Sequence, residues 1–251
     1  VDIKGIEKNI NMVNLCKKNN LNVIHGDAIN LLKNFDSESL SVITAFHVIE
    51  HMSVSQLKEL IIICKRILKP NGILIFETPS IDNLLVSTKL FYLDDTHINH
   101  INPDGLTFSL ENIGFYKAEY YYINGGPLQA ASPLKMTRIL NGVAQDLLLI
   151  ACKDKSISRL LFETNTCWKS ALNIAPSTLE AATDFDFERD QNFVAYTEKI
   201  KDLETQLLHL SSNSLRIEQG LNLLRDQIRF SLILGNIVSF PYIIFKKIFL
   251  L

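Results

Sequence analysis

Residues 41–51 read Ser41-Val42-Ile43-Thr44-Ala45-Phe46-His47-Val48-Ile49-Glu50-His51, an apolar, β-branched run that turns polar and aromatic at its end. The alternation and the Val/Ile/Thr content predict a strand over 41–46, followed by a loop that runs into a helix. In a parallel α/β sheet, ligands sit beyond the carboxyl ends of the strands. His47 and His51 therefore fall where such a sheet does its chemistry.

Working outward, short apolar runs alternate with helical periodicity up to about Lys153. Strands are expected at 2–6, 22–25, 41–46, 72–77, 118–123 and 145–152, with helices at 10–19, 28–34, 54–68 and 103–113. This interleaving predicts an α/β sheet. Little helix separates the last two strands, so they are expected to form an antiparallel edge pair. Within 54–68, Leu57, Leu60, Ile61, Cys64, Ile67 and Leu68 recur at spacings of three and four, and Lys69-Pro70-Asn71-Gly72 then stops the helix.

The 251 residues are 47% hydrophobic, which suits a folded chain. The 25 basic and 27 acidic residues leave a formal net charge of −2, so no basic field recruits nucleic acid. Cys16, Cys64, Cys152 and Cys167 lie far apart with no CxxC pair. Neither a zinc site nor a disulfide framework is expected, and a reducing, cytoplasmic compartment follows. The chain opens on Val1 with what reads as the end of a buried strand, and a truncated N-terminus is expected.

Two further strand ends carry candidate binding residues. Glu7 follows the first strand, where an acid can accept both hydroxyls of a ribose; an isolated acid there equally serves as a helix cap or loop residue. Asp27 and Ala28 follow the second, where Asp27 can meet an adenine amino group or simply cap the helix that begins at Ala28. His47, His51, His97 and His100 read either as a metal-holding cluster or as loop residues held by hydrogen bonds, and Asp95-Thr96-His97 also reads as a capped turn.

Taken in order, Glu7, Asp27, Phe46-His47, Lys69-Pro70-Asn71-Gly72 and Glu77-Thr78-Pro79-Ser80 resemble the class I S-adenosylmethionine-dependent methyltransferases. Tyr92-Leu93-Asp94-Asp95-Thr96-His97, Asn102-Pro103-Asp104-Gly105-Leu106 and Leu110-Glu111-Asn112-Ile113-Gly114-Phe115 resemble a subgroup found with bacterial surface-polysaccharide enzymes, including O-antigen chain-terminating methyltransferases. The resemblance implies a Rossmann-like sheet and S-adenosylmethionine as cofactor. It assigns Glu7 to the ribose, Asp27 and Ala28 to the adenine, and Phe46 with His47 to the wall beside the methionine portion. His51, Asp95, His97 and His100 would face the acceptor, with His97 or His51 as the base; a histidine near neutrality suits proton removal from an acceptor aligned on the sulfonium. The family's glycine-rich loop is not among these residues, so this chain is expected to lack the first strand and to hold cofactor weakly.

The methyltransferase domain is expected over 1–153, with a linker or surface extension at 154–190. Phe193, Tyr196, Ile200, Leu203, Leu207, Leu210, Ser214, Ile217, Leu221, Leu224 and Ile228 then form a heptad seam within 191–230. Such a stripe predicts a coiled-coil homo-oligomer, or a helix folded back on the catalytic domain. The tail 231–251 is apolar, broken by Pro241 and carrying Lys246 and Lys247 as its only charges. It reads as an interfacial segment at the inner membrane face, or as a surface for a protein partner. The expected acceptor is a hydroxyl, phosphate or sugar of a surface glycan or its lipid-linked precursor. The alternatives are an inactive scaffold that recruits a glycosyltransferase, and a methyltransferase of quinones or other small molecules.

Overall fold

The computed structural model describes residues 2–127, 135–164 and 166–233, with side chains through 229. The elements run β1 (Gly5–Glu7), α1 (Ile10–Lys18), β2 (Val23–His25), α2 (Ala28–Leu32), β3 (Leu40–Phe46), α3 (Val54–Ile67) and β4 (Leu68–Pro79). They continue as α4 (Pro103–Ile113), β5 (Lys117–Gly125), α5 (Met136–Asn141), β6 (Ala144–Cys152), α6 (Lys155–Ser158) and α7 (Thr178–Ile233). Compact units meet between Glu188 and Arg189.

Parallel β1 and β2 form one pair, and β3-β4-β6-β5 form a second sheet, with β3 parallel to β4 and the other two pairings antiparallel. The expected antiparallel partnership of the last two strands is present. Among the described residues, β1 pairs only with β2, and β3 only with β4. β3 is correspondingly open: Val42 is 50% exposed and Phe46 54%.

β6 shows why the second sheet is buried on both faces. Its alternate residues Leu147, Leu149 and Ala151 join Leu74 and Phe76 of β4 beneath Leu57, Leu60, Ile61, Cys64 and Ile67 of α3. Leu148, Ile150 and Cys152 point the other way, with Ile73 and Ile75. Strand side chains alternate between faces, so a continuous apolar run needs cover on both sides. That second cover comes from 154–177, the stretch expected as a linker or extension. Ile157, Leu161, Phe162, Trp168 and Leu172 pack on the sheet, and Ile174 bridges to Ile123. Its mixed polar composition concealed the contact because only one residue in several faces inward.

Local chemistry sets the helix ends. Ser53 and Gln56 form a reciprocal capping box at the start of α3. Asn102 caps α4, Pro103 takes its first turn, and Gly114 ends it at φ 106°, a left-handed conformation that glycine adopts without strain. Lys69-Pro70-Asn71-Gly72 does end α3, yet the chain passes straight into β4, four residues earlier than the expected strand start. A Cβ on Gly72 would lie 2.8 Å from the Lys69 carbonyl oxygen, so the tight passage requires glycine. β1 begins later than expected, at Gly5.

α7 is one continuous helix, and its apolar seam from Phe193 to Ile228 is largely exposed. Among the described residues, no helix is long and apolar enough to cross a membrane. The tail expected to meet a membrane or partner lies outside the described residues from 234 onward.

Candidate active site

The carboxyl ends of β1, β2 and β3 deliver Glu7, Asp27 and Phe46-His47. Glu7 Oε1 accepts the Asn9 amide at 2.6 Å, which engages one of its two oxygens. Gly26 donates its amide to the Glu7 carbonyl, and the His25 ring contacts the Lys8 carbonyl, so the ends of β1 and β2 are tied together. Asp27 is the N-cap of α2, its Oδ1 accepting from the Asn30 amide at 3.0 Å. Ala28 opens that helix and is half-buried. The capping role foreseen for Asp27 is thus realised through Oδ1.

His47 occupies the left-handed region at φ 52°, uncommon for a residue with a Cβ, and its amide donates to the Glu77 carbonyl at 2.9 Å. This turn aims the ring at three carboxylates: Glu50 Oε1 at 3.3 Å, Glu77 at 3.8 Å and Asp146 at 3.8 Å. The adjoining Glu50 carboxylate raises the His47 pKa above its ordinary value; partial burial opposes this, while Asp146 and Glu77 add to it. Burial and Asp146 push the Glu77 carboxyl up, with His47 acting against them.

Behind His47 lies a residue to which sequence reasoning gave no role. Glu50 sits in a 3-10 turn and is fully buried. Its Oε2 accepts the Thr78 hydroxyl at 3.0 Å, and its backbone carbonyl accepts the amides of Ile98 and Asn99. The loop carrying His97 is thereby pinned to the turn carrying His51. The rings of His51 and His97 lie 4.6 Å apart, His97 is 4.6 Å from the Phe91 ring, and Phe91 stacks on His100 at 3.9 Å.

The tertiary fold therefore brings His51, His97 and His100 together. His100 is committed to the Ser87 carbonyl, which makes it a support for the loop. Asp95 is exposed, and among the described residues the loop's contacts run through Asp94 instead. Asp94 Oδ1 accepts from the Thr96 amide and hydroxyl, and Oδ2 stands 3.9 Å from His97 Nε2. Spacing alone offered one signal for Glu50: it follows His47 by three residues and precedes His51, so one helical turn presents all three.

Residues 1–76 match the family model described as a methyltransferase domain. Among solved structures, a SAM-dependent methyltransferase from Archaeoglobus fulgidus is 26% identical with a TM-score of 0.54, over 61% of this chain and 76% of its own. A possible histamine N-methyltransferase from Thermotoga maritima is 18% identical, TM-score 0.48, over 60% and 72%. The Haemonchus contortus phosphoethanolamine N-methyltransferase 2, in complex with S-adenosyl-L-methionine, is 15% identical, TM-score 0.44, over 61% and 43%. No curated protein matches the chain.

The fold is that of the Rossmann-like methyltransferases, with a long C-terminal helix appended. The matched segment and the archaeal structure support an S-adenosylmethionine-dependent methyltransferase, with S-adenosylmethionine as its cofactor.

Proposed function

We propose that the protein transfers the methyl group of S-adenosylmethionine to an oxygen of a surface glycan or its lipid-linked precursor. The observation that carries the reading is the placement of Glu7, Asp27 and Phe46-His47 at the ends of three consecutive strands, with His51 and His97 side by side in the segments that follow the third. The cofactor fits these residues. Glu7 keeps an oxygen for ribose hydroxyls, Asp27 stands at a helix N-terminus for the adenine, and the exposed Phe46 ring offers an apolar wall to the methionine portion. Bound there, the cofactor supplies an electrophilic methyl group; the chain's own residues align the acceptor and deal with its proton. His97 and His51 take the acceptor side, with the Asp94-Thr96 turn holding them and Asp95 and His100 flanking.

The sheet is completed by a further parallel strand between β1 and β3, carrying the glycine-rich turn. What supports this is the edge that each strand leaves unpaired among the described residues, together with the exposure of Val42 and Phe46. The seam of α7 joins copies of the chain into a coiled coil, and the tail 231–251 brings the enzyme to the inner membrane face or to a glycosyltransferase. The heptad spacing and the exposed seam support the first part, and the apolar, lysine-bearing tail the second.

Isothermal titration of S-adenosylmethionine into the protein extended upstream of Val1, followed by transfer of labelled methyl onto lipid-linked glycan, tests the proposal. Tight binding with labelled glycan is the expected result. A folded protein that binds no cofactor sinks the enzyme reading, and label appearing only on a quinone or small amine moves the acceptor to the small-molecule class.

A further inference from the structure

We infer that Glu50, His51 and His97 form a binding site for a divalent transition-metal ion. A Glu50 carboxylate oxygen and one ring nitrogen of each histidine lie within 4.8 Å of one another. The site stands without the methyl-transfer reading, although both concern the same part of the molecule.

The first argument is an unsatisfied acceptor. Glu50 is fully buried, and while Oε2 takes the Thr78 hydroxyl, Oε1 has no hydrogen-bond partner among the described residues. Its nearest neighbours are His47 Nδ1 at 3.3 Å, in an exposed ring at ion-pair distance, and His97 Nε2 at 4.0 Å, and neither meets hydrogen-bond geometry. A buried carboxylate oxygen left in this state is costly, and such charges are ordinarily paired or coordinate a metal.

The second argument is the state of the two rings. His97 Nδ1 is 2.8 Å from the Phe91 carbonyl, which can only accept, so Nδ1 carries the hydrogen. Thr96 spends its one hydroxyl hydrogen on Asp94 Oδ1 at 2.6 Å, so at 2.8 Å it accepts from His51 Nδ1. In each neutral ring the lone pair is thereby left on Nε2. Metal-binding histidines show this arrangement, the second nitrogen donating to a carbonyl or other acceptor that fixes tautomer and ring direction.

The third argument is the donor set. Two imidazoles and one carboxylate, with a fourth position open to water or substrate, are the ligands of catalytic zinc and suit other divalent transition metals. Tetrahedral ligands 2.0–2.2 Å from zinc lie roughly 3.3 Å from one another. The His97–Glu50 separation of 4.0 Å would close by about 0.7 Å, a side-chain adjustment. Asp94 Oδ2, 3.9 Å from His97 Nε2, borders the open position. His47, Glu77 and Asp146 form a second group within the same 4.8 Å limit, but its histidine is exposed and it contains no orphaned buried oxygen. Bound there, the ion would supply Lewis-acid polarisation to an acceptor oxygen, with the two histidines as its ligands rather than as the base.

The experiment is titration of Zn2+ into the metal-free full chain by calorimetry, with Co2+ as a visible-absorption probe, in the absence of cofactor and acceptor. One Zn2+ per chain and an intense tetrahedral Co2+ band are expected. His51→Gln and His97→Gln should abolish the band and weaken zinc binding by more than about tenfold, Thr96→Val by about tenfold, while Asp146→Asn retains both. The inference is overturned if the wild-type chain, shown native by circular dichroism, takes up neither ion. It is equally overturned if both histidine variants bind as the wild type does, or if Asp146→Asn alone loses the ion. Because no methyl transfer is read, these failures leave the proposed activity standing.

Discussion

Thr78, on β4, donates its hydroxyl to Glu50 at 3.0 Å, with both residues almost completely buried. The contact joins the end of the second sheet's long strand to the turn that follows β3. It sets the direction of a carboxylate that His47 and His97 both approach.

Replacing Thr78 by Val keeps the shape of the side chain and deletes the donor, leaving Glu50 with neither oxygen satisfied. A loss of about 1–3 kcal/mol in unfolding free energy is expected, measured by urea denaturation monitored by circular dichroism. Stability within a few tenths of wild type would mean that this bond contributes nothing net.

Glu7→Ala removes the carboxylate assigned to the ribose. Hydrogen bonds to a charged group are worth about 1.5–3 kcal/mol, so the dissociation constant for S-adenosylmethionine should rise by at least about tenfold. Titration calorimetry on the upstream-extended protein reads this directly. Asp27→Ala should weaken binding and also cost about 1 kcal/mol of stability, because its Oδ1 caps α2. An Asp27 variant that loses stability with cofactor affinity unchanged would confine the residue to the cap.

The seam of α7 is open to a two-residue test. Leu207 and Leu210 are 65% and 64% exposed and belong to the apolar stripe. Sedimentation equilibrium of the full chain should show an oligomer, and Leu207→Lys with Leu210→Lys should return it to monomer, since charges at core heptad positions break a coiled coil. A wild-type monomer at tens of micromolar protein would discard the coiled coil.

The thiols should separate by burial. Burial pushes the Cys64 thiol up to about 12 and Cys152 up to about 11, leaving almost no thiolate at neutral pH. Cys167 is exposed and Cys16 half-buried. Brief alkylation at pH 7.5, followed by peptide mass spectrometry, should label Cys167 first and Cys16 next, with Cys64 and Cys152 modified only after denaturation. Early labelling of Cys64 would show that the α3 face opens readily.

Much of the fold was legible in local pattern. The helix over 103–113 matches α4 residue for residue because Asn102, Pro103 and Gly114 are all local signals. The covering role of 154–177 was not legible, since Phe162 and Trp168 stand among polar residues without a period. Of the site, the strand-end positions Glu7, Asp27 and His47 followed from strand prediction alone, while Glu50 passed as one more polar residue after a strand.

Local sequence thus specified the order of strands and helices, the caps, and the heptad stripe, because each depends on residues within a turn or two of one another. Tertiary packing specified the rest. The pairing of Glu50 with Thr78, twenty-eight residues apart, and of His51 with Thr96, forty-five apart, follows from which strands lie side by side. Burial then gives Glu50 its significance: a carboxylate in water would need no partner, and the same carboxylate beneath a sheet edge does.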